Sequence, residues 1–176
     1  MTTEEYLATP ETLLPRELAF GALHVADAPL VPHQRAVGHL FLALHQHLET
    51  HPIGEVWLSP IDVVLDHDRA LVVQPDLLVV LNDRRGIVRE RVYGAPDLVI
   101  EILSPHPRVG SIEERLRWFA RYGVRECWLL HQIEDVLEVI RFADGRIQAR
   151  EAFDPTQRIV SAVLPGFDGT VGAMLG

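Results

Sequence analysis

Two kinds of apolar pattern alternate along the chain. Apolar residues at helical spacing within residues 33–50 predict an amphipathic helix. A second helix is predicted to begin at the capping box from Ser111 to Glu114 and to end at Gly123. The other apolar runs are short and rich in β-branched residues, which is typical of buried strands. They cover residues 55–65, 71–80, 95–103, 126–130, 136–142 and 146–153, and residues 17–25 predict a hairpin or two short strands.

The order of these elements predicts the fold class. The core runs helix, strand, strand, strand, helix, strand, with β-hairpins added to it. This order indicates an α/β protein with a mixed sheet. A length of 176 residues favours one domain. We therefore expect a single domain over residues 1–176, with an N-terminal hairpin at about 16–30, a core at about 33–135 and a C-terminal β extension at about 136–176.

Composition narrows the functional classes. The net charge is −9, from 16 basic and 25 acidic residues, and every basic residue is arginine. This balance argues against a protein that coats nucleic acid, but a metal-dependent nuclease stays open because the metal supplies local positive charge. The one cysteine, Cys127, excludes an intramolecular disulfide. Since no apolar stretch reaches the roughly 18 residues of a spanning helix, we expect a cytoplasmic protein without a membrane partner.

Two acidic residues carry the clearest chemical signal. Asp76 and Glu101 each lie within an apolar run predicted to be a buried strand. An ionised carboxylate in such a strand is costly unless a cation compensates it. Two of them on neighbouring strands therefore suggest a divalent metal site. The alternative is that both are structural carboxylates paired with arginines.

Six sequence blocks, at residues 4–7, 33–34, 74–76, 94–105, 123–128 and 164–166, occur in the order of a known family. They resemble the Uma2 family, a bacterial family of restriction-endonuclease-like proteins within the PD-(D/E)xK nuclease superfamily. The resemblance implies a restriction-endonuclease-like fold and metal-dependent hydrolysis of phosphodiester bonds in nucleic acid, with DNA as the expected partner. The most specific block runs from Gly94 to Pro105.

The resemblance also implies roles for individual residues. Asp76 matches the first catalytic acid and Glu101 the second. Both would bind Mg²⁺ or Mn²⁺ through oxygen, helped by the main-chain carbonyl of Ile102. Glu17 matches an acidic residue of the family's N-terminal hairpin and is a further candidate ligand.

The family's lysine is replaced by arginine. The superfamily places a lysine two positions after Glu101, where this chain has Leu103, and the family tends to carry one in the next helix, at the position of Arg115. Arginine stays charged and cannot accept a proton, so Arg115 would instead hold the scissile phosphate. Its alternative is an exposed helix arginine that pairs with Glu114 or with solvent. Other departures from the family pattern are Phe20, Ala22, Pro107 and Ser111.

Several nearby residues are candidates for contacting the ligating acids. Strand alternation puts Asp97 on the same face as Glu101, although a hydrogen bond at the strand entry explains it equally well. Gln74 precedes Asp76 in its block, and His33 and Gln34 open the first predicted helix. In the same helix, His47 and His51 have a spacing that suits zinc, but we favour a solvated helix face.

Three functions follow from these patterns. The first is a metal-dependent nuclease with Asp76, Glu101 and Arg115 as catalytic residues. The second is a catalytically silent nucleic-acid-binding or protein-interaction module that keeps the fold, favoured by Arg115 and by the acidic net charge. The third is protein assembly through apolar hairpins, for example as a homodimer.

Overall fold

The computed structural model describes residues 1–10, 12, 14–103 and 111–175, so Ser104, Pro105 and Pro107 lie outside it. Its helices are α1 (Thr3–Leu7), α2 (Val31–Thr50), α3 (Ile112–Tyr122) and α4 (Val171–Leu175), with a 3-10 helix at Asn82–Ile87. Its strands are β1 (Arg16–Ala19), β2 (Ala22–Val25), β3 (Gly54–Leu58), β4 (Val63–Asp66), β5 (Leu71–Val73), β6 (Leu77–Leu81), β7 (Val92–Tyr93), β8 (Leu98–Leu103), β9 (Glu126–His131), β10 (Val136–Ala143) and β11 (Arg146–Phe153).

The strands form two sheets. The larger has the order β11-β10-β9-β8-β6-β3, in which β8 and β9 are parallel and the other neighbours antiparallel. The smaller has the order β2-β1-β5-β4-β7 and contains the N-terminal hairpin. Read along the chain, α2, β3, β6, β8, α3 and β9 give the predicted order of the core. The predicted α/β class with a mixed sheet is therefore confirmed.

The two long helices lie on opposite faces of the larger sheet. Along β8, Ile100 and Ile102 join the hydrophobic cluster that includes α2, whereas Val99 joins the cluster that includes α3. This alternation is the period-two pattern of a strand buried on both faces. At the end of α3, Gly123 adopts a left-handed conformation with φ of 96° and closes the helix as expected.

Two predicted strands are wrong, because each is two strands in different sheets. Residues 55–65 divide into β3 and β4 at Ser59 and Pro60, and residues 71–80 divide into β5 and β6 around Pro75. A proline has no amide proton to donate, so it interrupts a strand ladder. Within residues 55–80 the chain therefore crosses twice between the sheets, and Asp76 lies at the second of these crossings rather than inside a strand.

The expectation of a solvated face for His47 and His51 is wrong for His47, whereas His51 is exposed. His47 is buried, and its ring contacts Phe167 at a centroid distance of 5.5 Å and stacks on His51 at 4.5 Å. Burial lowers the pKa of His47, and nearby His51 lowers it further. Sequence spacing did not reveal this packing because Phe167 lies far along the chain. Among the helices of the described residues, none is both long and apolar enough to cross a membrane.

Candidate active site

A cavity of about 500 Å³ opens where the two sheets meet. Its walls come from β1, the start of α2, the crossing from β5 to β6, the end of β8 and the start of α3. Leu58, Pro60, Leu103 and Ile112 contribute apolar surface. The lining includes most of the predicted site residues: Glu17, His33, Gln34, Gln74, Asp76, Glu101, Ile102 and Arg115.

Asp76 is fixed by one strand and one helix. Its Oδ2 accepts a 2.8 Å hydrogen bond from the backbone N–H of Ile102 in β8. Its Oδ1 lies 3.1 Å from Nε2 of His33, which is buried in the first turn of α2. The β6–β8 ladder ends at the pair of Leu77 and Ile100, and beyond it the side chain of Asp76 accepts the N–H of Ile102. Both contacts set the direction of the carboxylate toward the cavity.

Glu101 projects from β8 on the face opposite Ile100 and Ile102, the face that α3 covers. There its Oε1 accepts a 2.6 Å hydrogen bond from Nε of Arg115. Burial raises the pKa of Glu101 to about 8; Arg115 opposes this rise, and the nearby charges of Asp76 and Glu17 add to it. Arg115 thus partly compensates a carboxylate that its surroundings disfavour as an anion.

Arg115 joins the two sheets through a double hydrogen bond to Glu17. Its two terminal nitrogens donate to the two carboxylate oxygens of Glu17 at 2.7 and 2.8 Å. Both side chains are less than 10% exposed. Burial alone lowers the pKa of Arg115, but Glu101 and Glu17 raise it, and the net pKa lies above the ordinary value. The alternative of an exposed arginine paired with Glu114 is therefore wrong.

A second network of hydrogen bonds, through Gln74 and Asp62, supports Glu17. The sequence patterns did not predict this network. The backbone N–H of Gln74 donates to Oε1 of Glu17 at 2.5 Å, and the Gln74 side chain donates to Asp62 at 2.9 Å. Asp62 also accepts from the hydroxyl of Tyr6 at 2.9 Å and from Nε of Arg91 at 3.1 Å. Tyr6 lies in one of the family-like blocks, which was the available signal.

Asp97 lies outside the group of described residues that lines the cavity. Its buried carboxylate accepts from the backbone N–H of Leu81 at 2.8 Å and lies 3.2 Å from Arg125 and 3.4 Å from Arg84. These contacts match the alternative in which Asp97 makes a hydrogen bond at the entry to its strand. Gln34 lines the cavity but is exposed, and no hydrogen bond joins it to Asp76 or Glu101 among the described residues.

The oxygen donors suit Mg²⁺ or Mn²⁺ in part. Asp76 and Glu101 offer carboxylate oxygens beside the main chain of Ile102, and Mg²⁺ is commonly held by one or two carboxylates with the remaining ligands from water and substrate. Glu17, by contrast, has both oxygens engaged by Arg115. Within the described ranges, no group of three or more His, Cys, Asp or Glu side chains is arranged to hold a metal ion.

The fold and the site together define the class of the protein. An α-β-β-β-α-β core with one acid directly before its second strand and another on its third, both near a cation on the following helix, is a restriction-endonuclease-like domain. The chain matches the Uma2 family model, described as "Putative restriction endonuclease", over residues 3–172 and belongs to that family.

A solved structure has the same fold. The crystal structure of a "putative nuclease belonging to DUF820" from Anabaena variabilis ATCC 29413 superimposes with a TM-score of 0.82, at 20% sequence identity, covering 99% of this chain and 97% of that one. At this identity the likeness concerns the fold. A search among curated proteins found no match.

Proposed function

We propose that this protein is a metal-dependent nuclease that hydrolyses phosphodiester bonds of nucleic acid, with DNA as the substrate. One observation carries the proposal. Asp76 and Glu101 lie 25 residues apart in the sequence, and both carboxylates reach one cavity together with the guanidinium of Arg115. Membership of the Uma2 family, described as "Putative restriction endonuclease", supports it.

Asp76, Glu101 and the carbonyl of Ile102 would hold the Mg²⁺ or Mn²⁺ ion. Such an ion, when bound, supplies Lewis-acid polarisation of the phosphate and lowers the pKa of water. In the metal-free protein, His33 and the N–H of Ile102 orient Asp76, and Arg115 donates a hydrogen bond to Glu101. Arg115 cannot take up a proton at working pH, so its contribution is positive charge that offsets the carboxylates as an anionic substrate approaches.

Nicking of supercoiled plasmid tests this proposal. The natural chain is expected to nick DNA with Mg²⁺ or Mn²⁺ and not with EDTA. Asp76→Asn and Glu101→Gln should each abolish nicking, whereas Glu114→Gln, which removes an exposed acid from α3, should not. Nicking that survives both site substitutions would place the chemistry elsewhere, and a natural chain that never nicks DNA or RNA would reject the proposal.

A catalytically silent nucleic-acid-binding module is the second candidate. It is favoured by the engagement of Arg115: all three of its nitrogen groups donate to Glu17 or Glu101, which leaves the guanidinium committed to the protein. The test is fluorescence anisotropy with labelled DNA and RNA oligonucleotides in EDTA. Binding without cleavage under any metal condition would favour this candidate, and absence of binding would reject it.

Self-association is a third proposal and concerns the N-terminal hairpin. β2 is an edge strand of the smaller sheet, and Phe20, Leu23 and Val25 are each more than 40% exposed. Exposed apolar residues on an edge strand favour pairing with another chain. Light scattering after size exclusion should give a dimer mass for the natural chain and a monomer mass for Leu23→Glu. A natural chain of monomer mass at high concentration would reject it.

A further inference from the structure

Arg115 occupies the space among the acids that a metal would neutralise. Its three nitrogen groups make three hydrogen bonds of 2.6 to 2.8 Å, two to Glu17 and one to Glu101. The guanidinium is buried, and it packs over the ring of Phe119 with 5.4 Å to the ring centroid. The guanidinium therefore has a defined position between β1 and β8. It supplies the positive charge next to Glu17 and Glu101.

The carboxylate oxygens themselves are largely engaged. Oε1 of Glu17 accepts from both Arg115 and the N–H of Gln74, and Oε2 of Glu17 accepts from Arg115. Oε1 of Glu101 accepts from Arg115, and Oδ2 of Asp76 accepts from Ile102. A divalent ion bound by Glu17 would need lone pairs of the two oxygens that now accept from Arg115. Glu17 can become a ligand only when Arg115 releases it.

A guanidinium and a divalent ion cannot both approach these acids without mutual repulsion. At separations of a few ångströms inside a protein, the interaction between full charges is large even with substantial screening. The two cations also offer the acids the same benefit, which is compensation of charge that burial makes costly. They are therefore alternatives for Glu17 and Glu101 rather than partners.

We propose that Arg115 is an internal counter-ion that competes with divalent metal for Glu17 and Glu101, and that Glu17 is a metal ligand held in reserve by it. This inference rests on the metal site of the proposed function. This competition and a purely supportive role for Arg115 predict opposite changes in metal affinity when Arg115 is substituted. If Arg115 competes, removing its charge strengthens metal binding; if it only organises the acids, removing it weakens metal binding.

Calorimetric titration with Mn²⁺ at fixed pH distinguishes the two. Arg115→Gln is expected to bind Mn²⁺ at least about tenfold more tightly than the natural chain, an effect equal to about 1.4 kcal/mol. The double variant Arg115→Gln/Glu17→Gln should lose most of that gain, because the reserved ligand is gone. Arg150→Gln is the matched control, since Arg150 of β11 pairs with Glu113 of α3 at 2.7 Å and neither residue lines the cavity. The Mn²⁺ affinity of this variant should equal that of the natural chain.

Unchanged or weaker Mn²⁺ binding by Arg115→Gln overturns the inference. A double variant that binds as tightly as Arg115→Gln overturns the part assigned to Glu17. Circular dichroism with and without Mn²⁺ covers the case in which Arg115→Gln does not fold by itself, because the inference then requires Mn²⁺ to restore the fold. A chain that stays unfolded at millimolar Mn²⁺ also overturns it.

The outcome is independent of nuclease activity. Tighter Mn²⁺ binding by Arg115→Gln, with no nicking by the natural chain or the variant, would support the competition and reject the nuclease. Nicking by the natural chain, with no gain in Mn²⁺ affinity in Arg115→Gln, would support the nuclease and reject the competition.

Discussion

Arg115 and Glu17 are 98 positions apart in the sequence, yet the guanidinium donates to both oxygens of the glutamate at 2.7 and 2.8 Å. Glu17 belongs to the smaller sheet, and Arg115 belongs to the helix that covers the larger one. The pair therefore links the N-terminal hairpin to the core at the edge of the cavity through two hydrogen bonds. It stabilises the fold and also determines which charges the cavity presents.

Arg115→Ala is expected to destabilise the protein by about 3–5 kcal/mol, because it leaves the buried carboxylate of Glu17 without its partner. Urea unfolding monitored by circular dichroism measures this change. Arg117→Ala is the matched control, since Arg117 is exposed on the same helix, and it should stay within about 0.5 kcal/mol of the natural chain. A cost for Arg115→Ala as small as that of the control would show that the buried pair contributes little.

Glu101 should make the metal-free protein less stable as pH rises. Burial raises its pKa to about 8 from 4.5, so between these values the folded chain keeps a proton that the unfolded chain has lost. Stability from this group is full below pH 4.5 and is lost as pH rises through 8, with a slope of at most about 1.4 kcal/mol per pH unit.

Urea unfolding in EDTA between pH 7 and 8 measures this slope, and Glu101→Gln should flatten it. This pH range lies above the one in which His47 titrates. Because the pKa of His47 is lowered, its contribution to stability increases as pH rises, and it does so at lower pH. Equal slopes for the natural chain and Glu101→Gln would contradict the assignment.

His33→Ala should impair metal use more than folding. It removes the group that lies 3.1 Å from Asp76, and loss of such a supporting contact commonly costs about 10- to 100-fold in metal affinity. The Mn²⁺ concentration for half-maximal nicking should rise by that factor, with the rate at saturating Mn²⁺ preserved. His45→Ala, on an exposed position of α2, should change neither. A lower saturating rate without a shift in Mn²⁺ dependence would assign His33 to the chemical step.

Glu126 should hold the C-terminal segment onto the core. Its buried carboxylate accepts hydrogen bonds from Trp128 Nε1 at 2.7 Å, from the Ser161 hydroxyl at 2.6 Å and from the N–H of Ala162 at 2.8 Å. Glu126→Ala leaves these donors without an acceptor and should cost about 3 kcal/mol, with faster amide exchange near residue 162. The exposed Glu134→Ala is the control. Unchanged exchange at Ala162 would contradict this role.

Two glycines should respond to alanine in opposite directions. A Cβ at Gly54 would lie 2.6 Å from the backbone oxygen of Val80 on the neighbouring strand, so Gly54→Ala should cost about 1–3 kcal/mol. A Cβ at Gly38, within α2, meets nothing within 4 Å, and Gly38→Ala should stabilise by about 0.5–1 kcal/mol. Thermal unfolding of both variants tests the pair, and changes of the same sign would contradict it.

Much of the fold could be predicted because its signals are local. Apolar spacing gave α2, and the Ser111 cap with Gly123 gave both ends of α3. The division of two apolar runs between the sheets was missed, although Pro60 and Pro75 stand at the breaks. An apolar run shows that a segment is buried, but it does not show which sheet buries it.

The sequence predicted which residues belong to the candidate site better than it predicted the contacts between them. Their apolar surroundings singled out Asp76 and Glu101, the family resemblance added Glu17 and Arg115, and all four line one cavity. Nothing in the sequence showed that Arg115 would reach two acids at once, or that Asp62 and Tyr6 would support Gln74. Those partners come from separate elements, and their pairing depends on how the two sheets meet.

The sequence by itself determined the element order, the two helices and the residues able to do chemistry, because periodicity, capping and family-like blocks are encoded within short segments. Only the tertiary structure decided that Arg115 is buried between Glu17 and Glu101 and that Asp97 lies outside the cavity. Such pairings depend on distances between segments far apart in the chain, and the packing of the two sheets and α3 sets those distances.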